Sequence, residues 1–283
     1  MQDANSLNFI SSDIATDLDP LIVTSPPPRS GTTLLQRLLC SSHKTLIFGE
    51  QCAQDLELFL NIYAFKAQEY HYQRERSQRQ LQKVLHGEVN DWLQDLMPET
   101  DGYLLAMRKA AFAGISYCRD FAQGAGRPNW GFKFPGWGAG TIRLLQAVMP
   151  QARFLLIIRN LSACLKSAKA QQLVITLSDT QEFCQKWADN VAFYNSLQGD
   201  RSMLVVNYAD LVENSVGTVQ KIAEFSGIQG MEVEVIQKKI NTITGQHFDA
   251  QVKDGYIPPA ELSEAELQIV ENVTGAFKQA LIV

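Results

Sequence analysis

The chain has 283 residues, 46% of them hydrophobic, which is enough to bury a full core as one large α/β domain or two small ones. A net charge of -5 and a pI near 5.5 argue against nucleic acid or an anionic membrane surface as the main partner, while leaving room for a local basic pocket around a small anionic ligand. Cys40, Cys52, Cys118, Cys164 and Cys184 are scattered, odd in number and without a Cys-x-x-Cys pair, so buried, reduced thiols are expected rather than a disulfide framework or a thiolate zinc site.

Residues 1–20 are acidic, with no basic region leading into an apolar run, and no stretch approaches the length of a bilayer span. The expectation is an extended arm followed by a cytoplasmic protein with no membrane partner. The first patterned stretch begins with Leu21-Ile22-Val23-Thr24, passes through Ser25-Pro26-Pro27-Pro28-Arg29-Ser30-Gly31-Thr32-Thr33, and continues with Leu34, Leu35, Leu38 and Leu39 at helical spacing. It predicts a buried strand, an anion-cradling loop and a helix. Gly31 lets the backbone approach an anion, Thr32 and Thr33 offer hydroxyls, the free amides of the first helical turn complete the cage, and Arg29 supplies full charge. A loop for a nucleoside triphosphate would read Gly-Lys-Ser/Thr; here Thr32 follows Gly31 and the basic residue lies two places earlier, so no γ-phosphate is expected. Taken alone, the stretch is also compatible with an ordinary strand-turn-helix corner.

Thr45-Leu46-Ile47-Phe48 predicts a short strand ending at Gly49-Glu50, which puts Glu50 at the edge where open α/β sheets bind ligands. Gln51 to Pro98 reads as two amphipathic helices; the stretch Gln68 to Gln82, rich in Gln, Arg and Glu, fits either an acceptor-binding lid or a solvated helix face. A helix from Tyr103 to Phe121 is broken at Gly124-Ala125-Gly126, and Asn129 to Pro135 predicts a strand with Lys133 at its end. A helix from Thr141 to Val148 precedes the strongest buried strand, Arg153 to Arg159, whose Arg159 again falls at the carboxyl edge. Helices from Ser162 to Gln171 and Asp179 to Leu197, a strand Met203 to Tyr208, and a helix Thr218 to Phe225 closed by Gly227 follow. Beyond a loop from Gly245 to Pro259, Ser263 and Glu266 open a last helix to Leu281 as a capping box. This alternation predicts an α/β fold, a parallel β-sheet flanked by helices on both faces.

Arg159 and Ser167 stand eight residues apart, and a guanidinium and a hydroxyl converging at a strand end suit a second phosphate monoester, although an arginine closing a strand end has the same spacing. With the Arg-Ser-Gly-Thr-Thr loop, the chain resembles sulfotransferases that use 3′-phosphoadenosine 5′-phosphosulfate (PAPS), particularly bacterial and tyrosylprotein-type members. The resemblance implies a P-loop NTPase-like sulfotransferase fold, one domain over 1–283 with 51–126 as a helical acceptor-side insertion. It implies Arg29, Ser30, Gly31, Thr32 and Thr33 at the 5′-phosphosulfate and Arg159 with Ser167 at the 3′-phosphate. Val205 to Val212 resembles the family's Tyr-Glu-Asp-Leu-Val block, which puts Tyr208 by the adenine; as a strand-end aromatic, Tyr208 is equally a core residue. Lys133 matches the lysine bridging donor and transition state, and Glu50 the glutamate base of the tyrosylprotein-type enzymes.

The sequence departs from the family at four points. Leu161 and Ala163 replace a common Pro and Asp, Ala209 replaces the Glu of the tyrosine block, and no histidine follows Lys133 as it does in cytosolic members. The offset of Glu50 is also slightly different, which leaves His247 as a fallback base. The implied reaction moves a sulfuryl group from PAPS to a hydroxyl or phenol of a small molecule or peptide, releases 3′-phosphoadenosine 5′-phosphate (PAP), and requires no metal. The alternatives are a P-loop kinase and a non-catalytic PAP-binding protein of the same fold. Acceptor specificity is expected from the 51–126 cover, with Phe59, Tyr63 and Tyr103 on its inner face.

Overall fold

The computed structural model describes residues 17–240 and 256–280. The expected arm before Asp17, His247 and most of the loop Gly245 to Pro259 lie outside those residues.

Five parallel strands form one sheet in the order β2-β3-β1-β4-β5, with β1 at Leu21–Thr24, β2 at Thr45–Phe48, β3 at Asn129–Lys133, β4 at Arg153–Ile158 and β5 at Met203–Asn207. All four residues of β1 are buried, as a near-continuous apolar run must be when a strand is covered on both faces. Alternation sends Ile22 to one core, with Phe132, Phe154 and Leu156, and Leu21 and Val23 to the other, with Leu35, Leu38, Leu155 and Ile157. Gly131 faces Leu21 in the register, and a Cβ there would lie 1.8 Å from the Leu21 carbonyl oxygen, so β1 and β3 pair as they do only because that side chain is missing. Strand order reverses beside β1, which puts a ligand crevice at the carboxyl ends of β1, β3 and β4.

The helices are α1 (Thr32–Ser41), α2 (Glu50–Leu85), α3 (Thr100–Gly124), α4 (Ala139–Val148), α5 (Leu161–Ala170), α6 (Leu177–Ser196), α7 (Tyr208–Glu213), α8 (Ser215–Ser226) and α9 (Glu264–Ala280). No described helix is long and apolar enough to cross a membrane. Ser263 and Glu266 form the expected capping box, with Glu266 N donating to Ser263 Oγ (3.4 Å) and Ser263 N donating to Glu266 Oε2 (2.6 Å). Lys169 Nζ donates to the same carboxylate oxygen at 2.6 Å, tying α9 to α5.

Two differences from expectation matter for the site, beside shifts of up to three residues at other helix ends. In place of two helices between Gln51 and Pro98 there is one, running 36 residues to Leu85, and 86–99 forms no regular element. Straight-chain Gln, Arg and Glu are good helix formers, and nothing from Glu50 to Leu85 is glycine or proline; Gly87 and Pro98 stop the pattern whose leucines suggested a second helix. The strand expected to end at Tyr208 ends at Asn207, whose side chain accepts from Ala209 N (2.9 Å) and so opens α7 with Tyr208 as its first residue.

Candidate active site

The loop from Ser25 to Gly31 turns the chain from β1 into α1. Arg29 has φ +71, a left-handed conformation that costs an L-residue about 1–2 kcal/mol, and Gly31 follows at φ +106. A Cβ on Gly31 would lie 2.5 Å from the ring of Tyr208, so this position needs glycine for its conformation and for its neighbour alike. Leu35 N to Gly31 O (3.0 Å) is the first helical bond, which leaves the amides of Thr32, Thr33 and Leu34 ahead of the ladder. Side chains cap other helices: Glu99 accepts from Asp101 N and Gly102 N, Asn160 from Ala163 N, and Thr176 from Asp179 N. At α1 no side chain caps the start and no acid lies in the first turn, so its positive end is open to an anion.

Arginines close that end. Arg159, just past β4, donates from Nη1 to the Arg29 carbonyl oxygen (3.1 Å) and lies 4.5 Å over the ring of Tyr208. Arg29 Nε donates to Ser167 Oγ on α5 at 3.3 Å. Burial lowers the pKa of Arg29 from its ordinary value, the nearby Arg159 charge lowers it further, and Glu50 pulls in the opposite direction. Two guanidiniums held this close, partly buried, are relieved by an anion between them.

The second half of the site lies across β1. Lys133, at the end of β3, is 5% exposed, and its ammonium pairs with Glu50, the first residue of α2, whose side chain is half exposed. A buried cation with one half-exposed carboxylate on it combines a charge for a leaving group with a base that solvent or an acceptor can reach.

The structure therefore brings Arg29, Gly31, Thr32, Arg159, Ser167 and Tyr208 together at the β1, β4 and β5 ends, and Glu50 with Lys133 at the β2 and β3 ends. Arg29 senses the charges of both Glu50 and Arg159. Thr32 is buried and Thr33 exposed at the start of α1. Ser30 is fully buried, and its hydroxyl is turned inward: it donates to Pro27 O (3.0 Å) and lies 3.4 Å from Cys164 Sγ, so its side chain shapes the loop. Burial pushes the Cys164 thiol up to about 11.

A cavity of about 550 Å³ opens beside this cluster, lined among others by Arg159, Asn160, Ala163, Trp187, Tyr208 and Glu213. Its volume is within the range of small-molecule sites. Sequence reasoning missed the support that α6 gives: Trp187 Nε1 donates to Arg159 O (3.0 Å), and Asn190 Nδ2 donates to Pro26 O (2.8 Å). The available signal was Asn190, a polar residue on the apolar face of that helix, three positions after Trp187. Of the expected acceptor-facing aromatics, Tyr63 is packed in the core at 5% exposure, whereas Phe59 and Tyr103 are exposed.

The model of the sulfotransferase family matches residues 20–232. No curated protein matches the chain. Among solved structures, the sulfotransferase domain of the Synechococcus PCC 7002 olefin synthase is 18% identical with a TM-score of 0.50, covering 92% of this chain and 96% of that one. The sulfotransferase domain of the curacin biosynthetic pathway is 16% identical, covers 92% and 99%, and has a TM-score of 0.47. Mouse sulfotransferase SULT7A1, solved with PAP, is 13% identical, covers 83% and 67%, and has a TM-score of 0.46. At 18% identity the likeness to the olefin synthase domain is one of fold.

Proposed function

The chain belongs to the sulfotransferase family, and from that premise we propose that it moves a sulfuryl group from PAPS to a hydroxyl or phenol on a small molecule or peptide, releasing PAP. The observation that carries the donor assignment is the convergence of Arg29 and Arg159 on the uncapped start of α1.

In this reading the α1 amides, Gly31, Thr32, Thr33 and Arg29 hold the 5′-phosphosulfate, with Ser30 contributing through its backbone. Arg159 and Ser167 take the 3′-phosphate, and the ring of Tyr208 lies along the nucleoside, whose base occupies the neighbouring cavity. The acceptor hydroxyl gives its proton to Glu50 as its oxygen bonds to sulfur. The bond from sulfur to the phosphate oxygen breaks, and PAP leaves with the electron pair. Lys133 offsets the charge that builds on the departing oxygen. Positioning and fixed charge carry the rate, as in phosphoryl transfer, and these side chains supply both without a metal. The whole chain acts as one catalytic unit in the cytoplasm, with 51–126 on the acceptor side.

Thermal denaturation with PAP and with ATP tests the donor site. At about a hundred times its dissociation constant PAP adds roughly 2.7 kcal/mol, and ATP, lacking a 3′-phosphate, adds far less. Equal shifts with the two nucleotides overturn the assignment of Arg159 and Ser167. PAP release from PAPS in the presence of phenolic and alcoholic acceptors then tests turnover, and PAP binding with no release under any acceptor favours a non-catalytic binding protein.

A further inference from the structure

Helix α6 crosses the carboxyl edge of the sheet and touches it at successive turns. Trp187 bonds to the Arg159 carbonyl beyond β4, Asn190 to the Pro26 carbonyl beyond β1, and Tyr194 Oη donates to Trp137 O (2.7 Å) beyond β3. Lys186 lies one turn before Asn190 and has no part in the reaction as proposed. Its side chain reaches the same edge: a Cβ on Gly136 would lie 3.2 Å from its ammonium nitrogen, 3.4 Å from its Cε and 3.8 Å from the Pro26 carbonyl oxygen. Gly136 is buried at φ +88, and its N donates to Ser25 O (2.7 Å), so the ammonium rests where the chain leaving β3 passes the phosphate loop. Glu182 and Asp189 stand one turn away to either side on α6, yet no described carboxylate lies within ion-pairing distance of Lys186, and Asp189 accepts instead from Gln185 (2.8 Å). Lys186 is exposed as a residue: its stem covers Gly136 while its charge is left to solvent or to a ligand.

We propose that Lys186 selects the acceptor, and that the acceptor is a hydroxy acid: a small molecule that bears, besides its alcohol or phenol, a carboxylate pairing with this ammonium. This rests on the sulfotransferase reading of the site. The donor's charges are met elsewhere, by the α1 amides, Arg29, Arg159 and Lys133, so Lys186 is a cation beyond those the nucleotide needs. The opposite wall is acidic, with Glu50 paired to Lys133 and Glu57 accepting from Thr141 Oγ1 (2.8 Å). An anionic acceptor therefore has one favourable orientation, its hydroxyl toward Glu50 and its acid toward Lys186. Lys133 and Gly136 are three residues apart, at most about 10 Å of chain, a span that one ring with a short acid arm bridges. A single ammonium answers the single charge of a carboxylate; a phosphate monoester calls for paired guanidiniums like those at the donor edge.

The test titrates the folded full-length protein, with PAP present, with 4-hydroxyphenylacetate and with its uncharged amide, following the heat of binding. The acid is expected to bind about three- to tenfold more tightly than the amide, a preference that fades with added salt, disappears in K186M and survives in K186R. The PAP-induced thermal shift is expected to be the same in all three proteins. Equal affinities in the wild type, binding of neither compound, or a preference kept by K186M overturns the proposal. So does a K186M protein without its PAP-induced shift, which would put Lys186 on the donor. In turnover the K186M defect is a raised KM for the acid; a kcat that falls alike for acid and amide would put Lys186 on the moving sulfuryl group and overturn its role in acceptor choice. Acid preference in a protein that releases no PAP from PAPS with either compound leaves the pairing at Lys186 standing and sinks the proposed function.

Discussion

The donor edge of the sheet and the α2–α3 hairpin handle exposed chemistry in opposite ways. At the donor edge polar groups are tied to one another before any ligand arrives: Ser30 to Pro27, Asn190 to Pro26, Trp187 to Arg159, Arg29 to Ser167. The hairpin instead leaves apolar side chains in solvent, with Phe59 at 48%, Phe65 at 58% and Trp92 at 67% exposure, while Leu56, Leu60 and Phe112 anchor it in the core and exposed ion pairs cross its outer part. A rigid polar frame suits a ligand of fixed chemistry, such as a nucleotide; a loosely dressed apolar surface suits one whose shape varies between enzymes.

The sharpest way to break that contrast is at the residue joining the two regions. Glu50→Gln is expected to lower turnover about 100- to 10,000-fold while leaving the PAP-induced thermal shift intact. Wild-type single-turnover rates in this variant would remove Glu50 from the chemistry. Next in size is a pair of neighbours in α2: Leu60→Ala, at 1% exposure, is expected to cost about 2–5 kcal/mol, whereas Phe59→Ala costs under about 0.5 kcal/mol and changes acceptor KM instead. Denaturant unfolding of both variants reads the difference, and equal losses would make the hairpin's outer face part of the core.

At the donor edge, Gly31→Ala introduces a methyl at φ +106 against Tyr208, for a loss of about 1–3 kcal/mol in stability and of the PAP-induced shift. A variant that keeps that shift would show that the loop can move aside. The smallest effect is expected at α9. The hydrogen bond from Lys169 is the first cause holding the Glu266 carboxyl below the usual carboxylate range, so its contribution is present above the ordinary carboxylate pKa and is lost as pH falls through the depressed one. Glu266→Gln should therefore flatten the acid side of the stability profile and leave it unchanged near neutrality in slope; an unaltered acid limb would mean that α9 is held by other contacts.

How much of this was legible in the sequence follows the range of the forces involved. The phosphate loop could be read because its parts are contiguous: an apolar run, a turn, Gly31, two threonines and helical leucines. Arg159, Lys133 and Glu50 could be read because a charged residue ending a short apolar run falls at a sheet edge. The inward turn of the Ser30 hydroxyl could not, because it depends on Pro27 and on Cys164, far away on α5. Nor could the single long α2, since Gln68 to Gln82 lacks the apolar periodicity by which helices are recognised and is kept helical by propensity and by pairs such as Arg74–Asp101. The strand order and the seat of Trp187 on the Arg159 carbonyl are long-range facts with no local trace.

The unbroken α2 turns small angles into long arcs. Its 36 residues make a rod of about 54 Å that begins at Glu50, against Lys133. Were that rod to tilt as a whole by about 5° at this end, its far end would sweep through about 5 Å, close to one full helical pitch, so the pairing of Glu50 with Lys133 sits where such a tilt moves atoms least.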